Sequence, residues 1–433
     1  MRTFLEHKSF QKYLSNSVWL LSDFFLRMVV GVFVVFYVAR YLGPEKFGVF
    51  SYLLAISTFM IAISRLGMEA VLVREIIKKP ENELKVMGTA FWMMFLSGLL
   101  LYILVICSFF LTLGSGQEDL YLLVLGASSI FTSFYVVEFY FQSQVKAKYA
   151  TICRSIVLIL MSVFKLFLIY REAELFWFFV AGLMDNAILA LVFLFSFWRM
   201  SKYQMFFRFF CWKEAKNMLA SAWPMVLVAI ALQAYMRTDQ IMIRNMLGAY
   251  EVGIYSAAIR ISEAWIIMMG AVAVSLLPAI IKLKAGNAVT YRNRMVQLFR
   301  LIFWSSVFVA VGVLFFGEQL IILVFGKSYL ESASIISLMM WSAVFSSMGS
   351  VASRYFNVEG MEKKFALRTV LAALVNAMLN YFLIPIYGIQ GAAFATLFST
   401  FFANYFLDWF DKDLRVLLQL KHRAVFGYPL IRH

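Results

Sequence analysis

Residues 88–112 read GTAFWMMFLSGLLLYILVICSFFLT, a run without a single charged side chain. A helix crossing the hydrocarbon core of a bilayer needs about 20 mostly apolar residues, so this run is long enough to span. The same pattern recurs along the chain, with spans expected at 15–39, 47–65, 88–112, 120–143, 151–170, 175–197, 219–243, 253–280, 299–317, 330–353, 365–386 and 390–410, twelve in all. Of the 433 residues 63% are hydrophobic and 15% charged, with a mean hydropathy of +0.82. Soluble domains carry about 25% charged residues, and no water-soluble core absorbs this much apolar surface. The expected fold class is therefore an all-α integral membrane protein.

A formal net charge of +15 raises the question of nucleic acid, and the placement of the charge answers it. About 30 of the 39 Lys and Arg fall in the N-terminus, the even-numbered loops and the C-terminus, against about 5 in the odd loops. The positive-inside bias puts both termini in the cytoplasm and fits an even number of spans. The basic excess is thus topology plus attraction to anionic lipid, and nucleic acid is excluded as a partner. Cys107, Cys153 and Cys211 show no metal or disulfide spacing, and His7, His422 and His433 lie in the tails, which excludes a histidine relay in the membrane. "FGKS" at 325–328 matches the end of a P-loop, but Ile321 occupies the position of its first glycine. With no hydrolase or metalloprotease motif either, the chain is read as a non-enzyme without a cofactor, a coupling proton or Na⁺ aside.

The longest inner connection, 198–218, reads WRMSKYQMFFRFFCWKEAKNM and mixes aromatic with basic residues, as a helix lying in the headgroup region would. It falls at the midpoint. The expected organisation is a six-helix lobe over 1–198, an interfacial linker over 199–218, a second six-helix lobe over 219–411 and a cytoplasmic basic tail over 412–433. An internal repeat supports two lobes: LGPEKFGVFS (42–51) follows the first span and LGAYEVGIYS (247–256) follows the seventh. Six spans per half make both halves enter the membrane in the same sense, related by a pseudo-two-fold axis along the membrane normal.

ARYLGPEKFGVFSY (39–52), RTDQIMIRNMLGAYEVGIYSAAIRISE (237–263) and IPIYGIQGAAFATL (384–397) resemble the Wzx-type polysaccharide flippases. These belong to one superfamily with the MATE multidrug exporters and the peptidoglycan-precursor flippases, and the similarity extends over essentially the whole chain. It implies a MATE-like fold and a flippase for polyprenyl-diphosphate-linked O-antigen or capsule repeat units, serving lipopolysaccharide or capsule biosynthesis in the bacterial cytoplasmic membrane. It further implies alternating access through a cationic lumen, with a polysaccharide polymerase and a chain-length regulator as partners.

Ionisable groups inside spans cost about 2.5–3.5 kcal/mol each on insertion scales, so those that persist face a wet cavity or a partner. Arg27, Lys165, Arg237 and Arg260 are the candidates for holding an anionic headgroup, arginine offering a planar fork to phosphate oxygens. Asp23, Asp185, Asp239 and Glu263 either couple transport to an ion or hold these cations in place. Structural alternatives stand beside each. Asp23/Arg27 and Arg260/Glu263 have the i,i+4 and i,i+3 spacing of same-face pairs, Lys165 has Asp185 within reach as a cross-helix partner, and Arg237 with Asp239 suits snorkelling. Glu138 reads as interfacial. Asn376, Asn380, Ser342, Ser346 and Ser350 suit either sugar hydroxyls or helix packing. A MATE-like exporter of cationic drugs, a lipid II flippase and a membrane-bound polymerase are the rival functions. Alkaline phosphatase fused at Ser115 is expected to be active and at Tyr203 inactive; the reverse pattern inverts the topology.

Overall fold

The computed structural model describes residues 25–111, 116–200, 205–284 and 287–428 with Trp19, Ser22 and Asp23, the side chains of 277–279, 282 and 284 excepted. The opening of the first expected span, Ser115, Tyr203, His7 and His433 lie outside these residues. The described chain is helical throughout: α1 (Val32–Ser64), α2 (Met68–Lys78), α3 (Glu83–Leu111), α4 (Gln117–Gly126), α5 (Ser128–Phe131), α6 (Val136–Ser143), α7 (Ala147–Tyr170), α8 (Leu175–Met200), α9 (Trp212–Met246), α10 (Ala249–Lys284), α11 (Ala288–Phe325), α12 (Ala333–Glu359), α13 (Glu362–Asn404) and α14 (Arg415–Val425). Ten helical stretches among the described residues are long and apolar enough to cross a membrane.

Two of the ten are folded double, which brings the membrane-crossing arms to twelve. The stretch Arg27–Lys78 breaks inside α1 at Gly43, whose φ of 73° and ψ of 169° are non-helical, and Pro44 opens the next arm. There the missing N–H of proline costs no helical hydrogen bond. The stretch Glu362–Trp409 breaks inside α13 at Gly388 (φ 60°, ψ −141°). Leu383 and Gly391 would stand about 12 Å apart along a straight helix. Instead a methyl group added at Gly391 would overlap the Leu383 carbonyl oxygen, so the chain reverses at that point.

The chain packs as two compact units, one of residues up to Val38 and from Tyr52 to Gln233, the other of Ala39–Ser51 and everything from Ala234 onward. Segment 39–51, which carries the first copy of the internal repeat, thus belongs to the second unit along with the second copy. The two copies meet there reciprocally. A methyl added at Gly48 would overlap the carbonyl oxygen of Ala249, and one added at Gly253 would overlap that of Pro44. Pro44 and Ala249 occupy equivalent positions of the repeat, as do Gly48 and Gly253, so each contact is the other's image under a two-fold rotation. Tyr329 locks the first copy further, its hydroxyl donating to the Ala39 carbonyl at 2.7 Å and its ring lying edge-on to Phe47.

The linker departs from expectation. Instead of an in-plane helix, residues 205–211 form one turn, Phe206–Arg208, between extended residues Met205 and Phe209. Phe206 is fully buried against the rings of Phe91 and Phe197, which is worth about 1.5–3 kcal/mol. Trp92 Nε1 donates to the Phe207 carbonyl at 2.9 Å, and Thr89 Oγ1 accepts from the Cys211 amide at 3.1 Å. With backbone groups satisfied by α3 side chains, the segment gains nothing by coiling. Beside it Lys79, between two spans, donates to Glu214 at 2.9 Å, a bond that raises its pKa.

The expected basic tail is likewise a packed helix. Leu417, Leu420 and Ala424 of α14 are buried with Met295, Phe299 and Val351 in one core. Lys421, fully buried, reaches Asp408 at 2.7 Å, and Asp408 also holds Arg368 at 2.6 Å; burial pushes the Lys421 ammonium below its usual range and the Asp408 charge opposes that. Gly253→Val is expected to lower the stability of the detergent-solubilised protein by about 3 kcal/mol or more, the upper end for overpacking, read as a fall in melting temperature, with Gly31→Ala, whose added methyl meets nothing, as the neutral control.

Candidate functional site

In the first unit a cavity of about 350 Å³ collects charge from five helical segments. Arg27 enters it from a π-turn over Arg27–Gly31, a local widening of the helix that recurs at functional sites. Arg65 sits at the C-cap of α1, where left-handed Leu66 and Gly67 end the helix. Glu138 comes from α6, Arg154 and Lys165 from α7, and Asp185 from α8. On α7 the residues Arg154, Leu158, Ser162 and Lys165 fall on one helical face, and that face lines the cavity.

The charges form a connected chain. Asp23 Oδ2 accepts from Arg27 Nη2 at 2.7 Å and from Arg154 Nη2 at 2.9 Å, and Arg154 Nη1 also pairs with Glu138. Asp23 and Glu138 are buried, while the Arg27 side chain is 47% exposed. Lys165 Nζ meets Asp185 Oδ2 at 2.6 Å across two helices. Arg65 has no ion pair among the described residues; its guanidinium lies 4.1 Å from the Tyr135 ring centroid, a cation–π contact. The Nε atoms of Arg65 and Arg154 and Oδ1 of Asp23 are buried without a hydrogen-bond partner. Four cations therefore face Glu69, Glu138 and Asp185 around the cavity, with Asp23 behind them. Formal charge balances, and what the cavity offers an anion is exposed and unfilled donors.

The remaining candidates lie in the second unit, in two clusters. Arg237 and Arg260 converge on one carboxylate, Glu263, at 3.1 and 3.2 Å. Asp239 is separate from them. Buried in α9 and in no ion pair among the described residues, it accepts hydrogen bonds from Tyr255 Oη at 2.6 Å, Asn380 Nδ2 at 2.6 Å and Thr396 Oγ1 at 2.5 Å. Behind it Asn380 Nδ2 also reaches Asn376 Oδ1 at 3.2 Å, while Asn380 Oδ1 and Asn376 Nδ2 are buried without partners. Among the described residues no three of His, Cys, Asp and Glu gather as a metal site.

The structure thus brings Asp23, Arg27, Lys165 and Asp185 together at the cavity of the first unit, while Arg237, Arg260, Glu263 and Asp239 belong to the second unit. The same-helix pairs Asp23/Arg27 and Arg260/Glu263 form, as does the cross-helix pair Lys165–Asp185. Glu138 is buried instead of interfacial because Arg154 draws it inward, and Asp239 does not snorkel because α13 and Tyr255 supply its hydrogen bonds. Arg65 and Arg154 escape a sequence reading because both stand at span ends, where cations are ordinary. The one local signal is the shared polar face of Arg154, Ser162 and Lys165 on an otherwise apolar helix.

The chain is similar to several known proteins. The polysaccharide biosynthesis protein family matches residues 13–284. A membrane protein of Methanocaldococcus jannaschii is 29% identical over 177 residues, 41% of this chain and 41% of its own length. A probable low-salt glycan biosynthesis flippase of Haloferax volcanii is 22% identical over 206 residues, 47% of this chain and 43% of that protein. The matched chain spans less than half the length of these curated relatives. Among solved structures, the lipid II flippase MurJ in an inward closed conformation superposes with a TM-score of 0.75 at 16% identity, covering 94% of this chain and 91% of that one. An inward-facing MATE multidrug transporter does so with 0.73 at 16%, covering 95% and 98%. The fold is that of the MATE-like transporters, twelve helices in two lobes. Arg154→Ala, which leaves Glu138 and Asp23 buried against a vacancy, is expected to destabilise the protein by about 3–5 kcal/mol, measured by thermal unfolding, with Arg154→Lys recovering part of the loss.

Proposed function

The chain belongs to the polysaccharide biosynthesis protein family, and from that premise we propose that it is a flippase moving polyprenyl-diphosphate-linked oligosaccharides from the inner to the outer leaflet by alternating access. The observation that carries this reading is the cavity of the first unit, where Arg65 makes no ion pair among the described residues and the Nε atoms of Arg65 and Arg154 have no hydrogen-bond partner. Carrying a diphosphate through hydrocarbon unaided is prohibitive, and guanidinium forks replace its water shell with charge-assisted hydrogen bonds. Arg65 and Arg154 take the phosphate oxygens, while Arg27 and Lys165 exchange Asp23 and Asp185 for the incoming anion. A cationic drug gains nothing from these donors, which favours this reading over drug export. Similarity to the Haloferax glycan flippase supports a glycan-bearing cargo. The finer reading is O-antigen or capsule repeat units in a bacterial cytoplasmic membrane, both termini inside, with a polymerase and a chain-length regulator downstream.

Arg237 and Arg260 add two cations on one carboxylate in the second unit, a surplus that suits the same anionic cargo. Asp239 is read as the coupling site for a proton or Na⁺. A buried carboxylate with no cation nearby is stabilised by neutralisation, and oxygens of Thr396, Tyr255 and an Asn380 amide turned by half a rotation form the set of oxygen ligands a small hard cation prefers. Arg65→Ala is expected to weaken binding of undecaprenyl diphosphate-linked sugar about tenfold or more with little change in melting temperature. Asp239→Asn is expected to retain that binding and lose the dependence of transport on an imposed pH or Na⁺ gradient in proteoliposomes. Unchanged binding in the first variant or unchanged gradient dependence in the second removes that residue from its role.

A further inference from the structure

A second hollow opens beside the cation cavity, a groove of about 900 Å³ between α2 and the first half of α9. Ala70, Val73 and Ile77 of α2 face Met225, Val228 and Leu232 of α9 across it, and Arg74, Lys78 and Gln142 also line a groove that is otherwise mostly apolar. The spacings are helical on both sides, so each helix presents one apolar stripe. Close packing of α9 under the α1–α2 break, where a Cβ on Gly67 would stand 2.7 Å from that of Met225, sets the end of the groove. Glu69 lines both hollows. It is exposed and has no ion pair among the described residues, so it stands at the threshold between a basic chamber and an apolar slot.

We infer that this groove holds the first isoprenoid units of the lipid carrier, letting the tail leave sideways while the diphosphate sits in the adjoining cation cavity. The inference rests on the headgroup reading given above and adds the path of the tail. An amphiphile is the occupant that a polar chamber opening into an apolar slot fits, with its charged end at Arg65 and its chain past Glu69. Burial in the groove gains the chain little over burial in lipid, since both surroundings are apolar. The groove acts geometrically: without it a long chain would have to follow the headgroup into a charged cavity. The Glu69 carboxylate repels diphosphate and so keeps the charged end on the arginine side of the threshold.

The test uses the full chain in liposomes of phosphatidylethanolamine and phosphatidylglycerol with two probes, undecaprenyl diphosphate N-acetylglucosamine and its methyl counterpart, the former also carrying a diazirine on the isoprene unit next to the diphosphate. The diazirine is expected to label peptides containing 67–78 and 225–232 in the wild-type protein. Ala70→Trp and Ala229→Trp, which fill the groove, are expected to slow transport of the undecaprenyl probe about tenfold while binding of the methyl probe, which has no isoprene unit to place there, changes less than about twofold. Labelling confined to other helices, displacement of the label by added phospholipid, or undiminished undecaprenyl transport in both tryptophan variants overturns the groove while leaving the headgroup site standing. Failure of the wild-type protein to bind either probe overturns the headgroup reading and the groove together. If the tryptophan variants do not fold, the wild-type labelling pattern decides.

Discussion

An ionised side chain in a low-dielectric interior must find an opposite charge, a set of dipoles or water, and the buried charges of this protein are arranged by that requirement. Arg154 answers to Asp23 and Glu138 at once, Glu263 to Arg237 and Arg260, and Asp408 to Arg368 and Lys421. The Glu263 and Asp408 clusters each set two cations on one carboxylate, whereas Arg27 and Arg154 balance Asp23 and Glu138. In the C-terminal cluster the odd charge is absorbed by structure: Lys421 also donates to the Asn404 carbonyl and Arg368 to that of Ala403. That fastens α14 to its core. In the first unit the formal charges around the cavity balance, and the Nε atoms of Arg65 and Arg154 stay without a hydrogen-bond partner beside it.

The two units carry different arrangements of charge. The first holds cations around an open chamber with an apolar groove at its side. The second holds a lone carboxylate wrapped in hydroxyls and amides. The reciprocal contact of Gly48 with Ala249 and of Gly253 with Pro44 is the rigid part: backbone approaches backbone with no side chain between, leaving no compressible element at the point where the repeat copies meet.

Sequence alone was sufficient wherever the controlling term is local or one-dimensional. The apolar runs determined that the chain spans a membrane and how many arms it has, because hydrocarbon thickness sets a length that can be counted. The glycines at 43, 48, 248 and 253 marked the repeat because the positive φ of the first and third and the close backbone approach of the second and fourth are demands that the residue type itself meets. Same-helix spacing foretold Asp23/Arg27 and Arg260/Glu263. What only the tertiary structure decided is which helices bring their charges together. Arg65, Glu138 and Arg154 look like ordinary interfacial charges along the chain and become cavity residues because α1, α6 and α7 converge. Asp239 is held by groups more than a hundred residues away in α13, and Phe206 leaves the expected interfacial helix for a pocket made by α3 and α8. Burial and electrostatic pairing depend on distances in space, and a sequence states distances only along itself.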